Sequence, residues 1–171
     1  IEAKKIFNLK KENLSILIHP SSFVHAIVFF NGNIIKFLAH DTNMNIPISN
    51  ALGIDKKFNQ SMVSEKIDKL NNLSFKKPKK SQFPLLSILN FIPNKNSYFE
   101  TILITLNDNL VNKYLDNKIN YNSIHKNLLT LIKSPYLNKY YKLEPKNIYD
   151  IKRMIDLTNK FVENNYKYYE K

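Results

Sequence analysis

Phe23–Ala39 reads FVHAIVFFNGNIIKFLA. Two runs of β-branched and aromatic residues flank Asn31-Gly32. An Asn-Gly pair in that setting is the strongest short-range hairpin signal, because both residues tolerate the positive φ of a type I′ turn. The stretch predicts paired antiparallel strands over Phe23–Phe30 and Ile34–Ala39. Just upstream, Leu14, Ile16 and Ile18 alternate with Ser15, Leu17 and His19. That pattern predicts a further strand, covered on both faces and ended by Pro20. Just downstream, Asn45–Leu52 predicts a short helix with Pro47 in its first turn and Gly53 as its stop.

Farther along, Asp55–Gln82 carries little periodicity. It closes on the basic, proline-bracketed FKKPKKSQFP (Phe75–Pro84), which reads as a surface linker. Helical periodicity then takes over. Ile102, Leu106, Leu110 and Tyr114 recur every four residues, with Leu103 and Val111 beside them. Ile124, Leu128 and Ile132 form a second stripe. Ile151, Ile155, Thr158 and Val162 form a third, after a start signal at Pro145–Asn147 with Asp150 three residues on. The expected fold class is α+β: an antiparallel β-hairpin or sheet with short helices, then a linker and a small C-terminal α-helical bundle.

The 171 residues carry a net charge of +12 with 43% hydrophobic residues, enough for a real core. No apolar run approaches the roughly eighteen residues of a membrane span. Without cysteine there is neither a disulfide framework nor a thiolate metal site, which suits a reducing compartment. The chain opens at Ile1 inside an apparent helix, without a signal-peptide pattern, and reads as a piece of something longer. The positive charge suggests nucleic acid. Arg153 is the only arginine, however, and Lys, Asn, Ile, Tyr and Phe are all A/T-codon residues, so codon drift is the preferred explanation. The lysines are expected to be dispersed over the surface rather than to line a groove with aromatic platforms.

Two glycines exclude a dinucleotide fingerprint and a P-loop, and neither HExxH nor an EF-hand loop is present. Ser21, Ser22 and His25 lie close together, but no orienting acid or oxyanion hole identifies a hydrolase triad. Taken alone, His19 and His25 read as hydrogen-bonded histidines of apolar strands, and His40 and His125 as solvated ones.

The order of motifs adds to this. IEAKKIFN (1–8), IHPSSFVHAIV (18–28), NMNIPISNAL (43–52), LSFKKPKKSQFPLL (73–86) and TILITLNDNLVNKYLDNKINYNSI (101–124) occur in one register. Together they resemble the C-terminal part of the 1-deoxy-D-xylulose 5-phosphate reductoisomerase family. Ile18, His19, Pro20, Ser22, His25 and Val28 match its I-H-P-x-S-x-x-H-S-x-V, with Ala26 replacing a serine. Met44, Pro47 and Ile48 match P-D-M-x-x-P-I. Leu73, Phe75, Pro78, Phe83, Pro84 and Leu86 match L-T-F-x-x-P and F-P-C-L-x-L. Thr101, Leu103, Asn107, Leu115, Ile119 and Ile124 match its helical ending. Departures are Thr42 and Asn43 for Pro-Asp, Ile104 for an asparagine and Asp108 for a glutamate.

The resemblance implies a reductoisomerase that uses NADPH and a divalent cation, Mg²⁺ or Mn²⁺, both bound mainly by residues upstream of this chain. It implies a sugar-phosphate substrate, a homodimer in the bacterial cytoplasm or, alternatively, a plastid-type stroma, and neither nucleic acid nor membrane as partner. It divides the chain into 1–53, the end of a catalytic and dimerisation domain, a linker over 54–82, and a helical domain over 83–171. It puts His25 at the substrate as the catalytic candidate and Met44 in the flexible wall beside substrate and nicotinamide. No direct metal ligand is implied in this stretch. Glu2 falls three residues after the family's last metal carboxylate, where a helix would turn it toward the metal from behind the ligands. His19 is implied to be structural. Two rivals stand beside this reading: a basic nucleic-acid-binding module, and a non-catalytic assembly domain of a decayed homologue.

Overall fold

The computed structural model describes residues 1–54 and 63–165, with only the backbone described over 63–66. The chain divides into two compact units, Ile1–Ser15 with Lys79–Lys171, and Ile16–Pro78.

The Ile16–Pro78 unit is built on the hairpin. Strands β1 (Val24–Phe30) and β2 (Ile34–Ala39) pair antiparallel. Phe30 pairs with Ile34, so three residues form the loop, and the left-handed pair is Gly32 (φ +86°) and Asn33 (φ +63°). The turn is therefore one residue longer than a two-residue type I′ turn. Asn33 adopts αL as readily as Asn31 would, because asparagine, like glycine, visits that region more easily than other residues. At the other end the register slips between Val24 and Ala26: Val24 faces Ala39 while Ala26 faces Leu38. His25 is the extra residue of a β-bulge.

Helix α2 (Asn45–Ala51) ends as the sequence predicts. Gly53 lies at φ +65°, its N–H bonds the Asn50 carbonyl at 3.2 Å, and Ile54 N–H bonds the Ser49 carbonyl at 2.9 Å. This is a Schellman closure, which calls for a residue free to turn left-handed.

Two expectations need correction. Leu14–His19 is not a strand among the described residues: Ile18 makes one antiparallel bridge to Lys76, and Leu14, Ile16 and Leu17 are exposed. Pro20 and Pro78 lie two residues beyond the bridge on their respective segments and supply no N–H to extend it. Helix α3 (Val63–Asn71) forms inside the stretch of little periodicity; residues 55–62 lie outside the described residues.

The other unit is helical. It begins with α1 (Glu2–Ile6), continues through a 3-10 helix at Pro84–Asn90, and closes with α4 (Tyr98–Leu115), α5 (Tyr121–Leu131), α6 (Pro135–Asn138) and α7 (Ile148–Asn164). Helix α4 packs against both α5 and α7. Its stripe is fully buried at Ile102, Leu106 and Leu110, joined by Leu131, Ile132, Leu137 and Val162. Each such side chain contributes about 1.5–3 kcal/mol by leaving water. Tyr114 is exposed, so the stripe ends one turn earlier than its spacing suggests. On α7 the buried line is Met154–Thr158–Val162, with Ile151 and Ile155 only half-buried. Thr158 satisfies its hydroxyl by donating to the Met154 carbonyl at 2.8 Å.

Caps and polar ties set the helix ends. Asn147 accepts from Asp150 N–H at 3.0 Å, while the Asp150 carboxylate accepts from Lys146 N–H at 3.0 Å. Orphan donors at the start of α7 are thus met reciprocally. Asn109 of α4 donates to Asn159 of α7 at 2.8 Å. Ser97 accepts from Phe99 N–H and donates to the Glu100 carboxylate at 3.0 Å. Glu100, 5% exposed, also faces the Lys5 and Lys4 ammonium groups at 3.2 and 3.9 Å, which ties α1 to the start of α4.

Candidate functional site

The bulge opens the hairpin at His25. A bulge re-aims the side chain it carries, and bulges concentrate beside active sites. The His25 side chain is exposed, and its ring lies on that of His40, centroids 3.8 Å apart and planes 17° from parallel. His25 Nε2 is 3.1 Å from the His40 carbonyl. A carbonyl only accepts, so Nε2 carries the proton and Nδ1 of a neutral His25 keeps its lone pair.

His40 is fixed in turn. Its N–H bonds the Phe23 carbonyl at 3.0 Å, and its Nδ1 donates to the Asp41 carbonyl at 2.7 Å. The Asp41 carboxylate is paired with Lys69 of α3, whose ammonium also sits over the buried Phe23 ring, 5.5 Å from the centroid. His40 is therefore not the solvated surface residue its sequence setting suggests. Nothing local in the sequence marks it: its role depends on strand register, which slips one residue before the pairing it would reveal.

Met44 lies four residues beyond His40, exposed, at the N-cap of α2. It shares the Ile16–Pro78 unit with His25. Glu2 lies in the first turn of α1, exposed, in the helical unit. His19 is held at both nitrogens: Nδ1 donates to the Ser74 carbonyl at 2.9 Å and Nε2 accepts from Ser21 Oγ at 2.7 Å. Its ring leans on Phe75, 5.0 Å between centroids. It has no nitrogen left for a ligand.

Among the described residues, no group of three His, Asp or Glu lies close enough to hold a metal ion, and no helix is long and apolar enough to cross a membrane. The arrangement offers one oriented imidazole with an open Nδ1, able to accept a hydrogen bond from a hydroxyl or, protonated, to donate to an anionic oxygen.

Comparison with known proteins gives the frame for this site. Residues 40–161 match the family described as the DXP reductoisomerase C-terminal domain. The 1-deoxy-D-xylulose 5-phosphate reductoisomerase of Pelagibacter ubique (strain HTCC1062) is 46% identical over 158 residues, covering 91% of this chain and 40% of that protein. The chain thus spans about two fifths of that relative's length. Among solved structures, DOX-P reductoisomerase in complex with magnesium superimposes with a TM-score of 0.82 at 21% identity, covering 99% of this chain and 44% of the other. The Zymomonas mobilis enzyme in complex with NADPH does so with a TM-score of 0.73 at 23% identity, covering 92% and 40%. At those identities the likeness is one of fold. Sequence and fold agree: the chain belongs to the DXP reductoisomerase C-terminal domain family.

Proposed function

We propose that this chain is part of an enzyme that isomerises 1-deoxy-D-xylulose 5-phosphate and reduces the product with NADPH to 2-C-methyl-D-erythritol 4-phosphate, in non-mevalonate isoprenoid biosynthesis. One observation carries the proposal for the site: immediately before the stretch that matches the family (residues 40–161), the hairpin breaks register at His25 and turns that imidazole out of the ladder with Nδ1 open.

The described residues bring no metal-ligating cluster together, and the sequence has no glycine-rich phosphate loop. NADPH and Mg²⁺ or Mn²⁺ belong, in this reading, to the rest of the enzyme. The chain's own contribution is to orient the substrate: His25 Nδ1 accepts from a substrate hydroxyl, and the protonated ring stabilises negative charge developing on a substrate oxygen. Met44 forms a wall of the same cleft, and Glu2 supports the metal ligands that precede it.

Both faces of the hairpin are apolar and exposed: Val28, Phe29, Phe30, Ile35, Phe37 and Leu38 are each 45% or more accessible. Such a surface calls for cover. The remainder of the enzyme and a second copy in a homodimer are the proposed cover. In the same reading residues 1–53 complete the catalytic domain, 54–82 link, and 83–171 form the helical domain of a cytoplasmic protein. The test is direct. Full-length enzyme is expected to consume NADPH only when both 1-deoxy-D-xylulose 5-phosphate and a divalent cation are present. No consumption by folded protein, or consumption independent of the sugar phosphate, contradicts the proposal.

A second reading rests on one groove. Tyr136, Arg153, Asp156, Lys160 and Phe161 line an open hollow of about 800 Å³, and the Lys139 ammonium sits over the Tyr136 and Tyr140 rings. Basic and aromatic side chains together suit single-stranded nucleic acid. Tyr136 and Phe161, however, stack on each other, 5.3 Å apart and 5° from parallel, so one face of each ring is already occupied. Salt-dependent oligonucleotide binding, lost in Arg153→Ala, would favour that reading.

A further inference from the structure

We propose that His40 is a positioning residue for His25: its ring fixes the rotamer, and its carbonyl the tautomer, in which His25 meets the substrate. This rests on the reading that His25 addresses the substrate.

An exposed histidine on a two-stranded ribbon would ordinarily sample several staggered rotamers. His25 is held in one. The His40 ring covers its face at 3.8 Å, and the His40 carbonyl takes its Nε2–H at 3.1 Å. Neither ring belongs to the buried core, so the stack is not a by-product of core packing. The support continues behind it. His40 Nδ1–H is bonded to the Asp41 carbonyl, and the Asp41 carboxylate is paired with Lys69. Helix α3 thereby braces the strand end that carries the supporting ring. The bulge makes this geometry available: the extra residue at position 25 lets its side chain fall beside residue 40 instead of alternating away from it.

The two parts of the device separate cleanly. The carbonyl is main chain and survives any replacement of the His40 side chain, whereas the stacked ring does not. Full-length enzyme with 1-deoxy-D-xylulose 5-phosphate, NADPH and Mg²⁺ is the system to use. Stacked ring pairs add enough to predict that His40→Ala lowers kcat/KM about three- to tenfold, with the melting temperature little changed. His40→Phe, which keeps a flat ring over His25, should recover most of that loss. In a His25→Gln background, His40→Ala should cost nothing further, because residues that act through one another are not additive. If His40→Ala does not fold, His40→Leu fills the space without a flat ring and is read the same way.

Wild-type turnover in His40→Ala overturns the proposal. So does an equal loss in both backgrounds, or a His40→Phe enzyme as impaired as His40→Ala. If His25→Gln itself turns over like wild type, the substrate-facing role of His25 falls, and the positioning role with it. A damaging His25→Gln beside a silent or additive His40→Ala removes only the positioning role.

Discussion

His19 and His25 present opposite nitrogens to main-chain carbonyls: His19 turns Nδ1 to Ser74 and His25 turns Nε2 to His40. Since a carbonyl accepts and never donates, the neutral rings must be opposite tautomers. In ¹⁵N-histidine spectra of the full-length enzyme at a pH where both rings are neutral, His19 should carry its proton on Nδ1 and His25 on Nε2. The same tautomer at both positions would contradict this geometry.

Glu100 is predicted to be the most sensitive charged residue of the helical unit. It is buried, and Lys4 beside it is only 5% exposed. Glu100→Ala leaves the Lys4 ammonium buried with the Asn94 carbonyl as its neighbour at 3.1 Å. Breaking a buried pair this way costs about 3–5 kcal/mol. Lys5→Ala removes a half-exposed partner and should cost under about 1 kcal/mol. Denaturant midpoints of the two variants check the ranking, and equal losses would contradict it.

Tyr141 sets an alkaline limit. Its hydroxyl donates to the Ile132 carbonyl, and its ring meets Phe99 edge-on at 4.9 Å. Burial pushes its phenol well above the ordinary tyrosine value. The folded state therefore holds this proton more tightly than the unfolded state. The resulting stability is complete below about pH 10, where an unfolded tyrosine still keeps its proton, and is lost progressively above it. Tyr141→Phe should lower stability near neutrality by about 1 kcal/mol for the missing hydrogen bond, and flatten the decline above pH 10. Melting temperatures of both proteins across that range provide the check; parallel declines would show that another group sets the limit.

What was legible in the sequence was local. Asn31-Gly32 announces a hairpin, Gly53 a helix stop, and Asn147 with Asp150 a helix start, because each signal lies within a few residues of what it governs. Helix α3 is only faintly marked: Val63, Ile67 and Leu70 stand at i, i+4 and i+7, a pattern obscured by the charged residues between them. Alternation over Leu14–His19 reports apolar character but not whether a partner strand exists. The candidate site is legible only in part. The motif resemblance singled out His25 and the order of its neighbours. The bulge and the His40 stack depend on cross-strand register, and no single strand's sequence contains that.

The central claim is that His25 addresses the substrate while His19 only holds the fold. It is tested most directly by kcat/KM and melting temperature of full-length His25→Gln, measured with saturating NADPH and Mg²⁺. The account predicts a loss of about 2–4 kcal/mol in transition-state stabilisation with melting little changed. A His25→Gln enzyme that turns over like wild type, or that loses thermal stability while its folded fraction keeps normal turnover, would contradict it.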